Sequence, residues 1–226
     1  RQLLLDLNEM GVPAGTEYLD LITPQYVTDL ISWGAIGART TESQVHRELA
    51  SGSSCPVGFK NGTYGTTKIA VDAINAATRP HHFLSIRKGG GNAAIVSTKG
   101  NVDTHIILRG GKEPNYDAAH INRVSEELKA AKLPENIMID LSHANSRKEH
   151  NLQIDVASEV AEQITNGDSR IIGVMIESHL VEGRQDVKSD NELTYGQSIT
   201  DACIGWENTV KLIDSFAKAS KNRKIN

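Results

Sequence analysis

The stretch Ile137-Met-Ile-Asp-Leu-Ser-His-Ala-Asn-Ser146 joins a short apolar run to a polar segment that contains a histidine. Other short runs rich in Ile, Val and Leu recur along the chain, and longer amphipathic segments separate them. This alternation is typical of βα units, in which helices cover the strands of a parallel sheet. The sequence therefore predicts an α/β protein.

The apolar runs predict six strands, which are Ala35–Ala38, Pro56–Phe59, His82–Ile86, Thr104–Leu108, Ile137–Asp140 and Ile172–Ile176. The amphipathic segments predict helices over Pro24–Ser32, Glu42–Ala50, Gly65–Ala77, Tyr116–Ala131, Leu152–Asn166 and Trp206–Ala219. The Gly-containing turn Thr98–Asn101 lies between the runs Ala93–Ser97 and Thr104–Leu108, which predicts an inserted β-hairpin. No linker or repeat divides the chain, so a single domain over residues 1–226 is expected.

The composition excludes several classes of partner. The 226 residues carry a net charge of −4, so any anion must be bound by locally gathered side chains, and neither nucleic acid nor a membrane is expected as a partner. Cys55 and Cys203 are interpreted as buried thiols rather than as a disulfide or metal pair, and no apolar run approaches a membrane span. These features indicate a reduced, cytoplasmic protein. The segment Arg1–Met10 has helical spacing without an initiator Met, so we expect the chain to begin inside a larger fold.

Three cations follow predicted strands, at the end where α/β proteins place their active sites. Arg39 and Arg109 offer guanidinium forks that match phosphate or carboxylate oxygens, and Lys60 offers a point charge. A lone strand-end Arg is more often part of a surface ion pair. Three such cations instead favour a small, multiply charged anion as the ligand.

A second group of residues comprises His143 and Glu177, which follow predicted strands, and Asp201, which lies inside the segment Ser198–Trp206. One imidazole with two carboxylates suits Mn, Fe, Co or Zn better than Ca. His179 is a competing ligand, because alternation along an extended strand would place it on the same side as Glu177. A single histidine is about as often a hydrogen-bonded core residue, so these residues alone make a metal site plausible without establishing it.

Six long segments resemble one known family, the type I 3-deoxy-D-arabino-heptulosonate 7-phosphate (DAHP) synthases. They are Ala38-Arg-Thr-Thr-Glu-Ser-Gln-Val-His-Arg-Glu48, Pro56-Val-Gly-Phe-Lys-Asn-Gly-Thr63, Ile107-Leu-Arg-Gly-Gly-Lys-Glu-Pro-Asn-Tyr116, Ser142-His-Ala-Asn-Ser146, Ile176-Glu-Ser-His-Leu-Val-Glu-Gly183 and Ser198-Ile-Thr-Asp-Ala-Cys-Ile-Gly-Trp206. The resemblance covers essentially the whole chain. It implies an eight-stranded (β/α) TIM barrel, of which this chain supplies about the last six βα units and the inserted hairpin.

The resemblance also assigns roles to the strand-end residues. It implies that Arg39 and Arg109 hold the phosphate of phosphoenolpyruvate, while Lys60 contacts the same substrate near its carboxylate and takes part in catalysis. His143, Glu177 and Asp201 would be three of four metal ligands; Asp201 would also contact substrate, and His143 could move protons. In the family the fourth ligand is a cysteine at the end of the first strand, which neither cysteine of this chain matches. The chain as given is therefore expected to be incomplete as a catalyst.

The implied reaction opens the shikimate pathway of aromatic amino-acid biosynthesis. Phosphoenolpyruvate condenses with erythrose 4-phosphate and water, and DAHP and phosphate are formed with a divalent metal as cofactor. Many relatives are inhibited by an aromatic amino acid at the opposite face of the barrel. The matching positions are Pro24, Gln25, Ser54 and Phe83, and Ser54 favours phenylalanine as the effector. A homo-oligomer, dimer or tetramer, is expected.

Two alternatives remain. An octulosonate 8-phosphate synthase would perform the same condensation on arabinose 5-phosphate, although the long segment Ser198–Trp206 and the hairpin favour the heptulosonate enzyme. A non-catalytic ligand-binding protein is the second alternative, because the first strands of the barrel are missing from this chain. Ser53 stands where a Leu is more usual and Tyr64 where many relatives have Asp, which leaves the loop contacts and the regulation open.

Overall fold

The computed structural model describes residues 1–87, 89–188 and 192–224. They form two compact units, the first made of Arg1–Ile107 with Glu126–Glu135 and the second of Leu108–Ser125 with Asn136–Asn226. Both units combine parallel strands with helices, so the predicted α/β class is confirmed.

The first unit is built on parallel strands in the order β1, β2, β3, β6. Its strands are β1 (Gly15–Glu17), β2 (Trp33–Ile36), β3 (Val57–Lys60), β4 (His82–Ile86), β5 (Ala93–Ser97) and β6 (Thr104–Leu108), and its helices are α1 (Gln2–Glu9), α2 (Pro24–Val27), α3 (Gln44–Ser51) and α4 (Lys68–Ala77). Ile36, Val57, Phe59 and Ile106 have no exposed surface. The sheet is therefore buried by apolar side chains, as a parallel sheet requires.

The second unit contains the parallel pair β7 and β8. Its elements are β7 (Ile137–Asp140), α6 (Gln153–Thr165), β8 (Ile171–Met175), β9 (Val181–Arg184), β10 (Gln197–Ser198) and α7 (Trp206–Lys221), while α5 (Ala118–Ala130) contributes residues to both units. Ile139, Leu141 and Val160 are fully buried in its core. Gly167, with a φ of 107°, lies just after the end of α6, where a left-handed residue commonly stops a helix.

The predicted hairpin exists, but with different strands. β4 and β5 pair antiparallel, with Phe83 opposite Val96, whereas β6 is buried at all five positions and pairs with β3 in the parallel sheet. The assignment of His82–Ile86 to the parallel sheet was therefore wrong, and so was the hairpin turn at Thr98–Asn101. The Asn101 side chain donates to the carbonyls of Ala50 and Cys55 at 3.2 and 3.0 Å. These hydrogen bonds hold residues 98–101 as the connection between β5 and β6, which do not pair with each other.

The predicted helices all occur, with shifted ends. The largest change is at Pro24–Ser32, where α2 ends at Val27 and a 3-10 turn over Thr28–Leu30 follows. Within the described ranges, no helix combines the length and the apolar character that are needed to cross a bilayer.

Candidate functional site

The first unit carries Arg39 and Lys60 at the carboxyl ends of neighbouring parallel strands. Arg39 follows β2 and is exposed, whereas Lys60 is the last residue of β3 and is partly buried. The hydroxyl of Thr41 donates to the carbonyl of Lys60 at 2.7 Å, which ties the loop of Arg39 to the end of β3. These two cations therefore lie at one edge of the sheet, on a backbone that is held in place.

Arg109 belongs to the second unit and directly follows β6. Its carbonyl accepts a hydrogen bond from the backbone N–H of Ala144 at 3.2 Å. Because Ala144 is the neighbour of His143, the loop after β6 is fixed against the loop that carries the predicted metal ligand.

The second unit brings three predicted metal ligands together. His143, Glu177 and Asp201 each offer one ligand atom, and these atoms lie within 4.8 Å of one another. His143 Nε2 is 3.6 Å from Glu177 Oε1. An imidazole and two carboxylates at this spacing suit a borderline-hard divalent cation, so the donor set fits the metal that the sequence predicts.

A buried aspartate that the sequence analysis missed holds His143. Asp140 has no exposed surface, and its Oδ2 lies 2.8 Å from His143 Nδ1. Its Oδ1 accepts hydrogen bonds from the backbone N–H and the hydroxyl of Ser142 at 2.9 and 2.5 Å. Since Nδ1 faces this carboxylate, Nε2 is left to face Glu177. A carboxylate behind a metal-binding histidine fixes its tautomer and its ring orientation.

Gln153 is a second residue that the sequence analysis did not single out. This fully buried residue opens α6 and forms two hydrogen bonds with the backbone of Glu177, one to its N–H at 2.9 Å and one to its carbonyl at 3.1 Å. Glu177 is thereby presented by a fixed loop. The sequence offered no signal for Gln153, because its partner is 24 residues away along the chain.

His179 does not join the ligand group formed by the described residues. Strand β8 ends at Met175, so the alternation that would place His179 beside Glu177 does not continue. His179 is exposed, and its Nδ1 accepts a hydrogen bond from the N–H of Leu180 at 2.8 Å. The geometry therefore favours Glu177 over its competitor.

Cys203 lies close to the ligand group, and the carboxylates of that group affect the pKa of its thiol. Burial raises the pKa of Cys203, and the carboxylates of Glu177 and Asp201 raise it further. Its neutral form is therefore favoured. Cys55, the other cysteine, is buried in the first unit, and both cysteines are free thiols.

The four predicted effector positions line one cavity in the first unit. This cavity has a volume of about 120 Å³, and its walls are formed by Tyr18, Pro24, Gln25, Thr28, Leu49, Gly52, Ser53, Ser54, Phe83 and Val96. Helix α2 contributes Pro24 and Gln25, and the hairpin contributes the facing pair Phe83 and Val96. Most of the wall is apolar, as a pocket for an aromatic side chain requires.

One part of this cavity is polar. The Tyr18 hydroxyl lies 3.3 Å from Ser53 Oγ and 3.5 Å from Cys55 Sγ. Tyr18 is only 2% exposed, and burial raises the pKa of its phenol above its ordinary value. Ser53, which stands where the resembled family more usually has Leu, therefore lines the cavity and contacts the Tyr18 hydroxyl.

The parallel α/β architecture, with a histidine and two carboxylates gathered at strand ends, defines an α/β protein with a candidate metal centre. Comparison with known families makes the assignment specific. The DAHP synthetase I family matches residues 5–214, and the chain belongs to this family.

Individual relatives agree with this assignment. The chain is 64% identical over 224 residues to a protein of Escherichia coli K12 named phospho-2-dehydro-3-deoxyheptonate aldolase, Phe-sensitive, covering 99% of the chain and 64% of the relative. It is 54% identical over 223 residues to the Trp-sensitive protein of the same organism, again covering 99% of the chain and 64% of the relative. The chain thus spans just under two thirds of these relatives.

A solved structure extends the likeness to the fold. The phospho-2-dehydro-3-deoxyheptonate aldolase of Francisella tularensis SCHU S4 superposes with a TM-score of 0.95 at 53% sequence identity. The match covers 100% of this chain and 65% of that chain.

Proposed function

We propose that this protein condenses phosphoenolpyruvate with D-erythrose 4-phosphate and water to give DAHP and inorganic phosphate, the first step of the shikimate pathway. Membership of the DAHP synthetase I family over residues 5–214 is the observation that carries the proposal. The ligand group of His143, Glu177 and Asp201 supports it independently, because a metal-assisted condensation needs such a group.

Three cations bind the anionic substrate in this proposal. Arg39 and Arg109 hold the phosphate of phosphoenolpyruvate, and Lys60 lies near its carboxylate. Lys60 ends β3, Arg109 directly follows β6, and Arg39 lies in the loop that follows β2, at the strand ends where α/β proteins bind ligands. Phosphate is a dianion that guanidinium groups bind through two parallel hydrogen bonds, which explains why two of the three cations are arginines.

The reaction forms one carbon–carbon bond and one carbon–oxygen bond to water, and it breaks the carbon–oxygen bond to phosphate. The enol carbon of phosphoenolpyruvate attacks the aldehyde carbon of erythrose 4-phosphate, whose oxygen takes up a proton. Positive charge develops on the carbon that bears the phosphate, and water adds there with loss of a proton. The resulting hemiketal expels inorganic phosphate while its hydroxyl loses a proton, which leaves the ketone of DAHP. Lys60 and His143 are the catalytic residues of this chain, and Asp201 contacts the substrate.

His143, Glu177 and Asp201 would hold a divalent ion of the Mn, Fe, Co or Zn type, which supplies Lewis-acid chemistry when bound. The protein prepares this site in advance. Asp140 orients the His143 ring, and Gln153 holds the backbone of Glu177. Preorganised side chains lose less conformational entropy when the ion binds.

The remaining features of the proposal concern architecture and regulation. Residues 1–226 supply about the last six βα units of a single eight-stranded barrel domain with an inserted hairpin. The protein is cytoplasmic and forms a dimer or tetramer. Phenylalanine binds in the cavity lined by Pro24, Gln25, Ser54 and Phe83 and inhibits the reaction, in keeping with the Phe-sensitive name of the Escherichia coli relative.

The proposal is tested by the consumption of phosphoenolpyruvate by the complete gene product. We expect consumption with erythrose 4-phosphate, its loss after exhaustive chelation, and its return with Mn, Fe or Co. Exclusive use of arabinose 5-phosphate would instead identify an octulosonate 8-phosphate synthase. If phosphoenolpyruvate were not consumed with either aldose in the presence of metal, the protein would be a non-catalytic ligand-binding protein.

A matched pair of variants connects this activity to the ligand group. Glu177→Gln removes a carboxylate of the group, and we expect at least a hundredfold loss of metal-supported turnover, roughly the order seen when a metal ligand or its support is lost. Glu182→Gln is the control, because Glu182 is a half-exposed carboxylate that pairs with His150 at 3.0 Å. Equal losses in both variants would contradict the assigned role of Glu177.

A further inference from the structure

A second cleft lies in the second unit, on the loops that follow β6 and β7. It has a volume of about 270 Å³, and its walls are formed by Gly111, Lys112, Glu113, Pro114, Ala144, Arg147 and Lys148. This volume far exceeds the ~15 Å³ that one water molecule requires. None of the residues assigned above to substrate, metal or effector lines the cleft.

The cleft is cationic. Lys112, Arg147 and Lys148 set three positive charges against the single carboxylate of Glu113, which leaves a net charge of +2 on the walls. In the part of the chain that the structure describes, none of these three cations is engaged in an ion pair. Local concentration of positive charge is unexpected in a chain whose net charge is −4, and it creates a field that attracts anions.

Two of the cations are held in an unfavourable backbone conformation. Arg147 and Lys148 have φ angles of 53° and 62°, in the left-handed region that residues with a Cβ avoid at a cost of roughly 1 kcal/mol or more each. The Lys148 N–H donates to the carbonyl of His143 at 2.7 Å, which maintains this turn. Two consecutive residues of this kind line the same cleft.

Buried asparagines fix the loops that form the cleft. Asn115 Oδ1 accepts from the N–H of Gly110 at 2.7 Å, and Asn145 Oδ1 accepts from the N–H of Asn115 at 2.8 Å. Asn145 also donates to the carbonyls of Leu108 and Asp140. A Cβ at Gly110 would lie 2.8 Å from the Ala144 Cβ, so the loops touch without an intervening side chain. The cleft is therefore a formed site rather than a chance gap between mobile loops.

We propose that this cleft binds a phosphate-type dianion, either inorganic phosphate or a phosphate monoester, at a site separate from the substrate phosphate site expected at Arg39 and Arg109. A net charge of +2 favours a compact dianion over a monoanion such as chloride. The Arg147 guanidinium can take two phosphate oxygens at once, while Lys112 and Lys148 contribute point charges. The inference does not depend on the proposed catalytic activity.

The test is a calorimetric titration of the complete gene product with inorganic phosphate and, in a second arm, with glycerol 3-phosphate. All proteins carry Arg39→Gln, which weakens the substrate phosphate site expected at Arg39 and Arg109. Arg147→Asn with Lys148→Asn removes two charges from the cleft while keeping a residue that tolerates the left-handed conformation. Arg147→Lys with Lys148→Arg restores the charges.

Lys132→Asn is the matched control. Lys132 is an exposed cation with a φ of 58°, so it shares the residue type and the backbone conformation of Lys148, but it lies in the first unit and outside the cleft.

We expect the Arg39→Gln protein to bind a dianion in the cleft, and this binding is the part of the titration that the cleft variants change. The double Asn variant should weaken this binding by about tenfold or more, and the charge-restoring variant should recover it. Stronger binding of inorganic phosphate or of glycerol 3-phosphate identifies the source of the dianion, and either result supports the site. The absence of binding in both arms, an unchanged affinity in the double Asn variant, or an equal loss in Lys132→Asn would overturn the proposal. Turnover is measured separately, so a failure of the catalytic proposal remains distinguishable.

Discussion

The Asp140 carboxylate governs how His143 can act. Asp140 Oδ2 lies 2.8 Å from His143 Nδ1, which is also within hydrogen-bond distance of Ser142 Oγ at 2.8 Å, and His143 itself has a φ of 55°. The strained backbone and the buried carboxylate together set one tautomer and one direction of the ring. A metal that binds at Nε2 therefore meets a lone pair that already points toward Glu177, 3.6 Å away.

Asp140→Asn is expected to weaken the binding of a divalent metal by roughly 10- to 100-fold, because an amide cannot support the imidazole as a carboxylate does. Competition against a chromophoric chelator measures this affinity without any turnover. Asp117→Asn is the matched control, because Asp117 forms a similar contact with His120 Nδ1, at 2.6 Å, away from the ligand group. An affinity that stays the same in Asp140→Asn would show that Asp140 does not support the site.

The sequence predicted part of this arrangement. His143 and Glu177 could be named because each is a coordinating residue in a loop after a predicted strand, and Asp201 because it lies in the segment Ser198–Trp206 that the resembled family shares. The ligand atoms of these three residues do lie together. Asp140 and Gln153 could not be named, because their contacts depend on a turn at residues 140–143 and on the packing of α6. Neither leaves a periodic or spaced pattern in the sequence.

The β4–β5 hairpin determines the shape of the effector cavity. Its side chains alternate, so Phe83 is 8% exposed and faces the cavity, while Leu84 is 71% exposed on the opposite face. Val96 lies directly opposite Phe83 and completes this wall. Strand β4 therefore carries Phe83 in the cavity wall and, next to it, Leu84 outside the cavity, so the two residues can be compared.

Phe83→Ala is expected to weaken inhibition by phenylalanine by about tenfold or more, because it removes apolar surface that would pack on the effector ring. The measurement is the inhibition constant of phenylalanine in the phosphoenolpyruvate assay. Leu84→Ala should leave that constant unchanged. If both variants lost inhibition equally, the hairpin fold rather than the cavity wall would be responsible.

The pairing of this hairpin could not be obtained from the sequence. The runs His82–Ile86, Ala93–Ser97 and Thr104–Leu108 are all short and apolar, so their lengths do not distinguish a hairpin strand from a parallel one. What distinguishes them is burial, since β6 is enclosed at every position and β5 alternates between exposed and half-buried residues. Burial depends on the whole sheet rather than on the strand.

At the scale of the whole molecule, one buried histidine of the parallel sheet makes a pH-dependent contribution to stability. His105 in β6 is 4% exposed, and its Nε2 accepts a hydrogen bond from the indole N–H of Trp33 at 3.1 Å. Burial lowers the pKa of His105 from 6.5 to about 4, against a smaller opposing effect of a hydrogen bond with the backbone of Asp103. The folded protein therefore holds this ring neutral at a pH where the unfolded chain protonates it.

The sign of the pH effect follows from proton binding. Between pH 6.5 and 4 the unfolded chain binds a proton at His105 that the folded protein does not, so acid favours unfolding. For this residue alone, the free energy of unfolding should be about 2 kcal/mol lower at pH 5 than at pH 7. Urea unfolding at the two pH values measures the difference.

His105→Gln separates this residue from the other groups that titrate in the same range. A glutamine oxygen can accept from the Trp33 indole but cannot be protonated, so the variant should lose about 2 kcal/mol less than the parent protein between pH 7 and pH 5. His82→Gln, at an exposed histidine of β4, should keep the full loss. If the free energy of unfolding fell by the same amount between pH 7 and pH 5 in His105→Gln and in the parent, protonation of His105 would not be a cause of the acid sensitivity.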